Sequence, residues 1–157
     1  MFDIAQEFVA ARGFADRIMV FDVSSATVEL AAKAVGCEKA KIAKSLTFMV
    51  DDKPVMIVCA GDVKISNSKY KQMFHTKAKM LSYDEVHEFI GHDVGGVCPF
   101  GVKDGVKVYL DESLKRFDYI YPACGSDNSA VKLTTTELEK AAECTDWIDV
   151  CQMIENA

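Results

Sequence analysis

The sequence predicts an α/β fold of the α+β kind, a mixed β-sheet with helices packed around it. Two β-rich runs, 42–50 and 54–60, flank the turn Asp51-Asp52-Lys53, which is the signature of a hairpin. Short amphipathic segments with capping residues lie on both sides of that hairpin, so helical crossovers join other strands. The order of elements lacks the regular strand–helix alternation of a doubly wound sheet and favours a mixed one.

The chain has 157 residues, which predicts a single domain over 1–157 with a sizeable core. Half of its residues are hydrophobic and about a quarter charged, an ordinary globular composition. The longest apolar stretches, such as Val55–Ala60, are strand-sized and too short to span a bilayer. The N-terminus, Met-Phe-Asp-Ile-Ala-Gln-Glu, lacks the basic and apolar regions of a signal peptide, so a cytoplasmic protein without a membrane partner is expected.

In order along the chain, residues 2–12 read as an amphipathic helix ended by Gly13, and 18–21 as a strand. Ser24 or Ser25 is expected to cap a helix through Val35, stopped by Gly36. After the hairpin, Gly61-Asp62 breaks the second strand and 67–74 reads as a basic helix. Residues 78–80 form a short strand, and Ser82 with Glu85 has capping-box spacing for a helix to Ile90. Residues 106–110 alternate like a strand, and Asp111 caps a short turn through Leu114. Residues 119–121 and 130–133 are further short strands, Thr134 with Glu137 repeats the capping box, and 147–150 closes with alternation.

Cysteine usage narrows the chemistry. The six, at 37, 59, 98, 124, 144 and 151, include no Cys-x-x-Cys, and the three histidines show no ligand spacing. No metal and no cofactor is expected, and Cys59 reads as a small buried hydrophobe. The net charge of −6 disfavours an indiscriminately basic nucleic-acid binder. Its distribution differs: residues 31–80 hold ten lysines and four acids, a balance of +6, so the remainder carries −12. That asymmetry fits a side facing a polyanion, and equally fits lysines scattered as solubilising charge.

Two stretches carry chemistry. Gly95-Gly96-Val97-Cys98-Pro99-Phe100-Gly101 concentrates glycine and proline, and a loop of that kind can present backbone N–H groups to a carbonyl oxygen or phosphate. Alone it reads as an ordinary turn. Lys44, at the head of an apolar strand, must lead its ammonium to water, an anion or a carboxylate. Alone it reads as a solvent-facing lysine. Together the two could bracket a phosphate or an ester.

The segment Ile42-Ala43-Lys44-Ser45-Leu46-Thr47-Phe48, the glycine loop, Pro122-Ala123-Cys124-Gly125 and the strand 130–133 before a Thr-capped helix follow one another in that order. In this the chain resembles the YbaK/prolyl-tRNA-synthetase-associated editing-domain family, over roughly residues 25–150. The resemblance implies a barrel-like mixed sheet and a free-standing aminoacyl-tRNA deacylase. Its implied substrates are Cys or Ala esters on tRNA-Pro, and its implied partners are the tRNA acceptor end and prolyl-tRNA synthetase. Lys44 matches the family's strand lysine, needed for deacylation, and Gly95 to Pro99 matches its G-x-x-x-P loop. Catalytic roles are thereby implied for Lys44, Gly95 and Gly96, and substrate-binding roles for Ser45, Val97, Cys98, Pro99 and Gly125. Where some members carry Asp ahead of the late strand, this chain has Ala130.

An aminoacyl ester is already activated, so its hydrolysis needs positioning and oxyanion stabilisation more than a strong nucleophile. No G-x-S-x-G elbow is present, which agrees. One alternative is a cysteine hydrolase built on Cys98 with His75, His87 or His92 as base. His92-Asp93 is not expected to act as a dyad, because adjacent residues on an extended chain point apart. The other alternative is a module that binds tRNA or protein without turnover. The P-loop reading fails, because Val102-Lys103 stands where Lys-Ser/Thr is required.

Overall fold

The computed structural model describes residues 4–155, so Phe2 of the first expected helix lies outside it. Helix α1 (Ile4–Val9) buries Ala5 and Val9 and widens into a π turn over Ala10–Phe14, where Gly13 takes φ 91°. Strand β1 (Ile18–Val20) follows. Helix α2 (Val28–Val35) is capped by Thr27, whose side chain accepts from the Leu30 N–H, and it ends at left-handed Gly36. The expected cap at Ser24 or Ser25 is therefore displaced. The Ser25 N–H is already tied to the Asp127 carbonyl at 2.6 Å, which holds that residue in the loop before the helix.

The hairpin forms as expected. Asp51 and Asp52 both hold left-handed backbone, φ 49° and 62°, the geometry that joins twisted strands by a tight turn. Strand β2 (Ile42–Val50) and β3 (Lys53–Ala60) pair antiparallel, with Lys44 opposite Cys59. Strand β4 (Val63–Ile65), helix α3 (Asn67–Phe74) and helix α4 (Tyr83–Glu85, continued by a π turn over Val86–Ile90) come next. Residues 78–80 contribute only an isolated bridge, Phe48 to Met80, rather than a strand. The capping boxes at Ser82 and at Thr134 both form.

Strand β5 (Lys107–Asp111), β6 (Tyr121–Pro122), β7 (Ser129–Val131), helix α5 (Thr135–Ala141), β8 (Asp146–Ile148) and β9 (Cys151–Met153) complete the chain. The largest sheet has the order β6-β2-β3-β5-β8, with only β2–β3 antiparallel. Pairs β1–β7 and β4–β9 are antiparallel and extend the curl. This is the mixed, barrel-like sheet with helices around it.

Strand β3 is buried from Val55 to Ala60, both faces covered, which is why the sequence there is an unbroken apolar run. Phe48, Tyr70, Phe74 and Tyr109 stack in a chain of tilted and edge-on rings at 4.8–5.5 Å. Helix α2 packs a smaller cluster, Ala31 and Ala32, onto Ile42 at the start of β2. That contact brings the N-terminal end of α2 beside the strand that carries Lys44.

Candidate active site

A cavity of about 410 Å³ opens where five segments meet. They are residues 25–28 entering α2, the first half of β2 (42–47), residues 80–86, the glycine turn around 94–97, and the β6–β7 region from Tyr121 to Ala130. Lys44, Ser45, Gly95 and Val97 all wall it. Two residues far apart in sequence and joined only by hypothesis thus share one hollow.

Lys44 is half-buried, and its Nζ donates to the Val63 carbonyl just beyond the Gly61-Asp62 turn. Asp62 stands near enough for the two charges to interact. The Arg116 guanidinium, however, holds both Asp62 oxygens in a fork at 2.6 and 3.0 Å and, as the main cause, keeps that carboxyl below its ordinary pKa. Lys44 therefore has a neutral carbonyl as its hydrogen-bond partner, while the Asp62 carboxylate is already held by Arg116. An ammonium with spare donors and no ion pair of its own is suited to meet an anion.

The glycine turn divides its labour. The Gly96 N–H donates to the Asp93 carbonyl at 3.0 Å and closes a four-residue turn, with Gly95 at its third position in left-handed backbone, φ 99°. The expectation that the Gly96 amide faces a substrate is corrected by that bond. Gly96 instead permits a close approach, since a Cβ there would lie 2.6 Å from the backbone carbonyl of Gly125. The N–H groups of Val94, Gly95 and Val97 have no partner among the described residues, and all three residues wall the cavity. Two of these amides, Gly95 and Val97, flank the bonded Gly96 amide.

Three other expected contacts lie behind the wall rather than in it. Cys98 and Pro99 are buried, because the chain turns inward after Val97 to seat Phe100 in the core. Gly125, at φ 88°, serves as the surface on which Gly96 rests. A cysteine nucleophile at position 98 is disfavoured by geometry. Cys98 is fully buried, and the nearby His92 Nε2, 3.8 Å from its sulfur, donates its proton to the Phe100 carbonyl at 2.7 Å. A ring nitrogen that carries a proton cannot accept one. Asp93 turns the other way, to His87 at 3.1 Å, so His92-Asp93 forms no dyad.

Sequence reading missed Ser25, Tyr121 and Ser129. Tyr121 reaches the cavity because β6 pairs with β2, opposite Ile42, and Ser25 and Ser129 because β7 pairs with β1 and the 124–128 loop ties down residues 21–25, long-range arrangements that leave no local spacing to detect. Ala130 is buried in the same wall. Among the described residues no group of histidine, cysteine and acidic side chains is placed to hold a metal ion.

The sequence profile of the aminoacyl-tRNA editing domain matches residues 23–141. The chain belongs to the aminoacyl-tRNA editing domain family. It is 53% identical over 133 residues to the uncharacterized protein YwhH of Bacillus subtilis (strain 168), covering 84% of this chain and 85% of that one. It is 30% identical over 115 residues to the proline–tRNA ligase of Halalkalibacterium halodurans, covering 73% of this chain but only 20% of the ligase. The editing-domain chain thus spans about a fifth of that enzyme. Its fold superposes with a TM-score of 0.84 on the crystal structure of a proposed trans-editing enzyme for prolyl tRNA synthetase, at 24% identity and with 97% and 99% of the two chains covered. No helix among the described residues is long and apolar enough to cross a membrane.

Proposed function

We propose that this protein hydrolyses the ester between an amino acid and the terminal ribose of tRNA, acting in trans on mischarged tRNA-Pro bearing alanine or cysteine. The observation that carries the reading is the shared cavity. Its walls include Lys44, whose ammonium is bonded to the neutral Val63 carbonyl, and Gly95 and Val97, whose N–H groups have no partner among the described residues, and the chain belongs to the editing family. Proline–tRNA ligases among the relatives support tRNA-Pro as the substrate body.

In this mechanism Lys44 draws the phosphate-bearing acceptor end into the cavity, leaving the Val63 carbonyl to do so. The aminoacyl carbonyl lies at the N–H groups of Gly95 and Val97. Water adds to the carbonyl carbon, the carbonyl oxygen gains negative charge against those amides, and the ribose oxygen then departs with a proton. Free amino acid and uncharged tRNA result. Lys44, Tyr83 and Tyr121 are the titratable side chains of the cavity wall among the described residues. Activation of the water therefore falls to the substrate, most simply to the neighbouring ribose hydroxyl, while the protein supplies position and charge stabilisation.

The test is a deacylation panel with tRNA charged with Cys, Ala, Ser and Pro. The expected result is rapid loss of the Ala or Cys ester and survival of the Pro ester. Lys44→Ala is expected to remove turnover and to lower the unfolding temperature by no more than a few degrees, since only one hydrogen bond is lost. Full activity in that variant removes Lys44 from the mechanism. Salt-sensitive tRNA binding with no ester loss makes the protein a binding module instead.

A further inference from the structure

Ser25 sits in the cavity wall with 7% of its surface exposed, and its Oγ has no hydrogen-bond partner among the described residues. That is costly for a native structure. A buried hydroxyl without a partner forfeits its hydration and gains nothing in return, and alanine at the same position would avoid the loss. Local needs do not account for it, since the helix cap is supplied by Thr27 and the adjacent turn by Ser24, whose Oγ accepts from the Ala26 N–H at 3.2 Å.

The surroundings indicate what it serves. The Ser25 N–H is fixed to the Asp127 carbonyl at 2.6 Å, so its backbone cannot drift. A Cβ built on Gly95 would stand 3.4 Å from the Asp127 Cβ and 3.9 Å from the Ala26 Cβ, which places the glycine turn directly against this segment. The first turn of α2 begins three residues later, and its partial positive charge favours negative charge in the same corner. No hydrogen bond holds the hydroxyl in its present rotamer, so turning about χ1 to meet a ligand breaks nothing.

We propose that Ser25 is a further substrate-contacting residue of this cavity, its hydroxyl donating to the aminoacyl carbonyl oxygen alongside the amides of the glycine turn. This rests on the deacylase reading. As a contact to the ester rather than to the amino-acid side chain, it acts on every aminoacyl group alike. Loss of one such donor lowers turnover by about 10²-fold where it has been measured in other enzymes. Because the hydroxyl is unsatisfied in the free protein, its removal leaves the fold as stable or more so.

The experiment compares wild type with Ser25→Ala in three readouts. They are the unfolding temperature, kcat and KM on Ala-, Cys- and Ser-charged tRNA, and binding of a stable amide-linked alanyl-adenosine. The expected result is an unchanged or raised unfolding temperature, kcat lowered about 10²-fold by a similar factor on every ester hydrolysed, and weaker binding of the amide. A lowered unfolding temperature means that the hydroxyl has a structural partner and overturns the proposal. Unchanged kcat overturns it, and so does a loss confined to one amino acid, which would make Ser25 a selector of side chains. If wild type hydrolyses none of the esters, the deacylase reading fails by itself. Ser25 is then supported as a ligand contact if its variant binds the amide at least tenfold more weakly, and is overturned if the two bind equally or neither binds.

Discussion

Tyr70 carries its phenol where no water reaches and no described group accepts its proton. Its ring lies between Phe48 and Phe74, with centroids 5.2 and 4.8 Å away, and contributes as a hydrocarbon. Burial pushes the phenol pKa up to about 12 from its ordinary 10. Tyr70→Phe is therefore expected to leave stability at neutral pH unchanged or to raise it by about 1 kcal/mol, read from urea unfolding. The sign at alkaline pH follows from proton counts. Above pH 10 the unfolded chain releases a phenol proton that the native state keeps until about pH 12, so stability falls across that window. Wild type should lose stability between pH 10 and 12 more steeply than Tyr70→Phe. Parallel curves would show that the phenol is solvated or bonded. Ser25 and Tyr70 share the same orphaned state, but of the two only Ser25 walls the cavity shared with Lys44 and the glycine turn, which separates a tolerated defect from a group held ready.

The elements most legible in the sequence are those whose signals lie within one turn of helix. Ser82 with Glu85 and Thr134 with Glu137 form capping boxes because both halves of the motif are three residues apart. The entry to α2 was less legible. Ser24, Ser25 and Thr27 are all competent caps, and the choice is made by Asp127, about a hundred residues away, which binds the Ser25 N–H. The glycine loop was legible as a turn but not in its roles. The Gly96 amide closes the turn while the residue itself lies against the Gly125 backbone, a contact between distant loops that no local pattern encodes. Gly96→Ala is accordingly expected to force the two loops apart, lowering the unfolding temperature and cutting the deacylation rate at least tenfold. Gly105→Ala is the control: its Cβ would meet nothing within 4 Å, so only its left-handed backbone, φ 90°, costs about 1–2 kcal/mol. If Gly96→Ala behaves like Gly105→Ala, the loop contact is not what shapes the site.

For the molecule as a whole, Lys44 and the glycine turn could be paired from sequence because an ammonium and bare backbone N–H groups are both donors suited to the same phosphate or ester oxygen. The remaining walls could not, because α2, β6 and β7 reach the cavity through strand pairings that no local pattern encodes. Charge is similarly split. The chain carries −6, yet residues 31–80 are net positive, and Lys33, Lys53, Lys64, Lys71 and Lys77 are exposed and form no ion pair among the described residues. A uniformly acidic surface would repel tRNA, so on the proposed function association is expected to run through this lysine-bearing part, with the acidic remainder limiting how many phosphates are engaged. Each phosphate neutralised contributes a slope of about −0.7 to −0.9 to the dependence of log affinity on log salt. The expectation is a shallow but measurable slope, worth about one to three phosphates, when tRNA binding is followed from 50 to 200 mM NaCl by roughly equilibrium methods. Hydrolysis of an aminoacyl-adenosine, which lacks the upstream phosphates, should vary far less over the same range. Equal salt dependence for both substrates would mean that the lysines outside the cavity take no part, and that recognition is confined to the cavity.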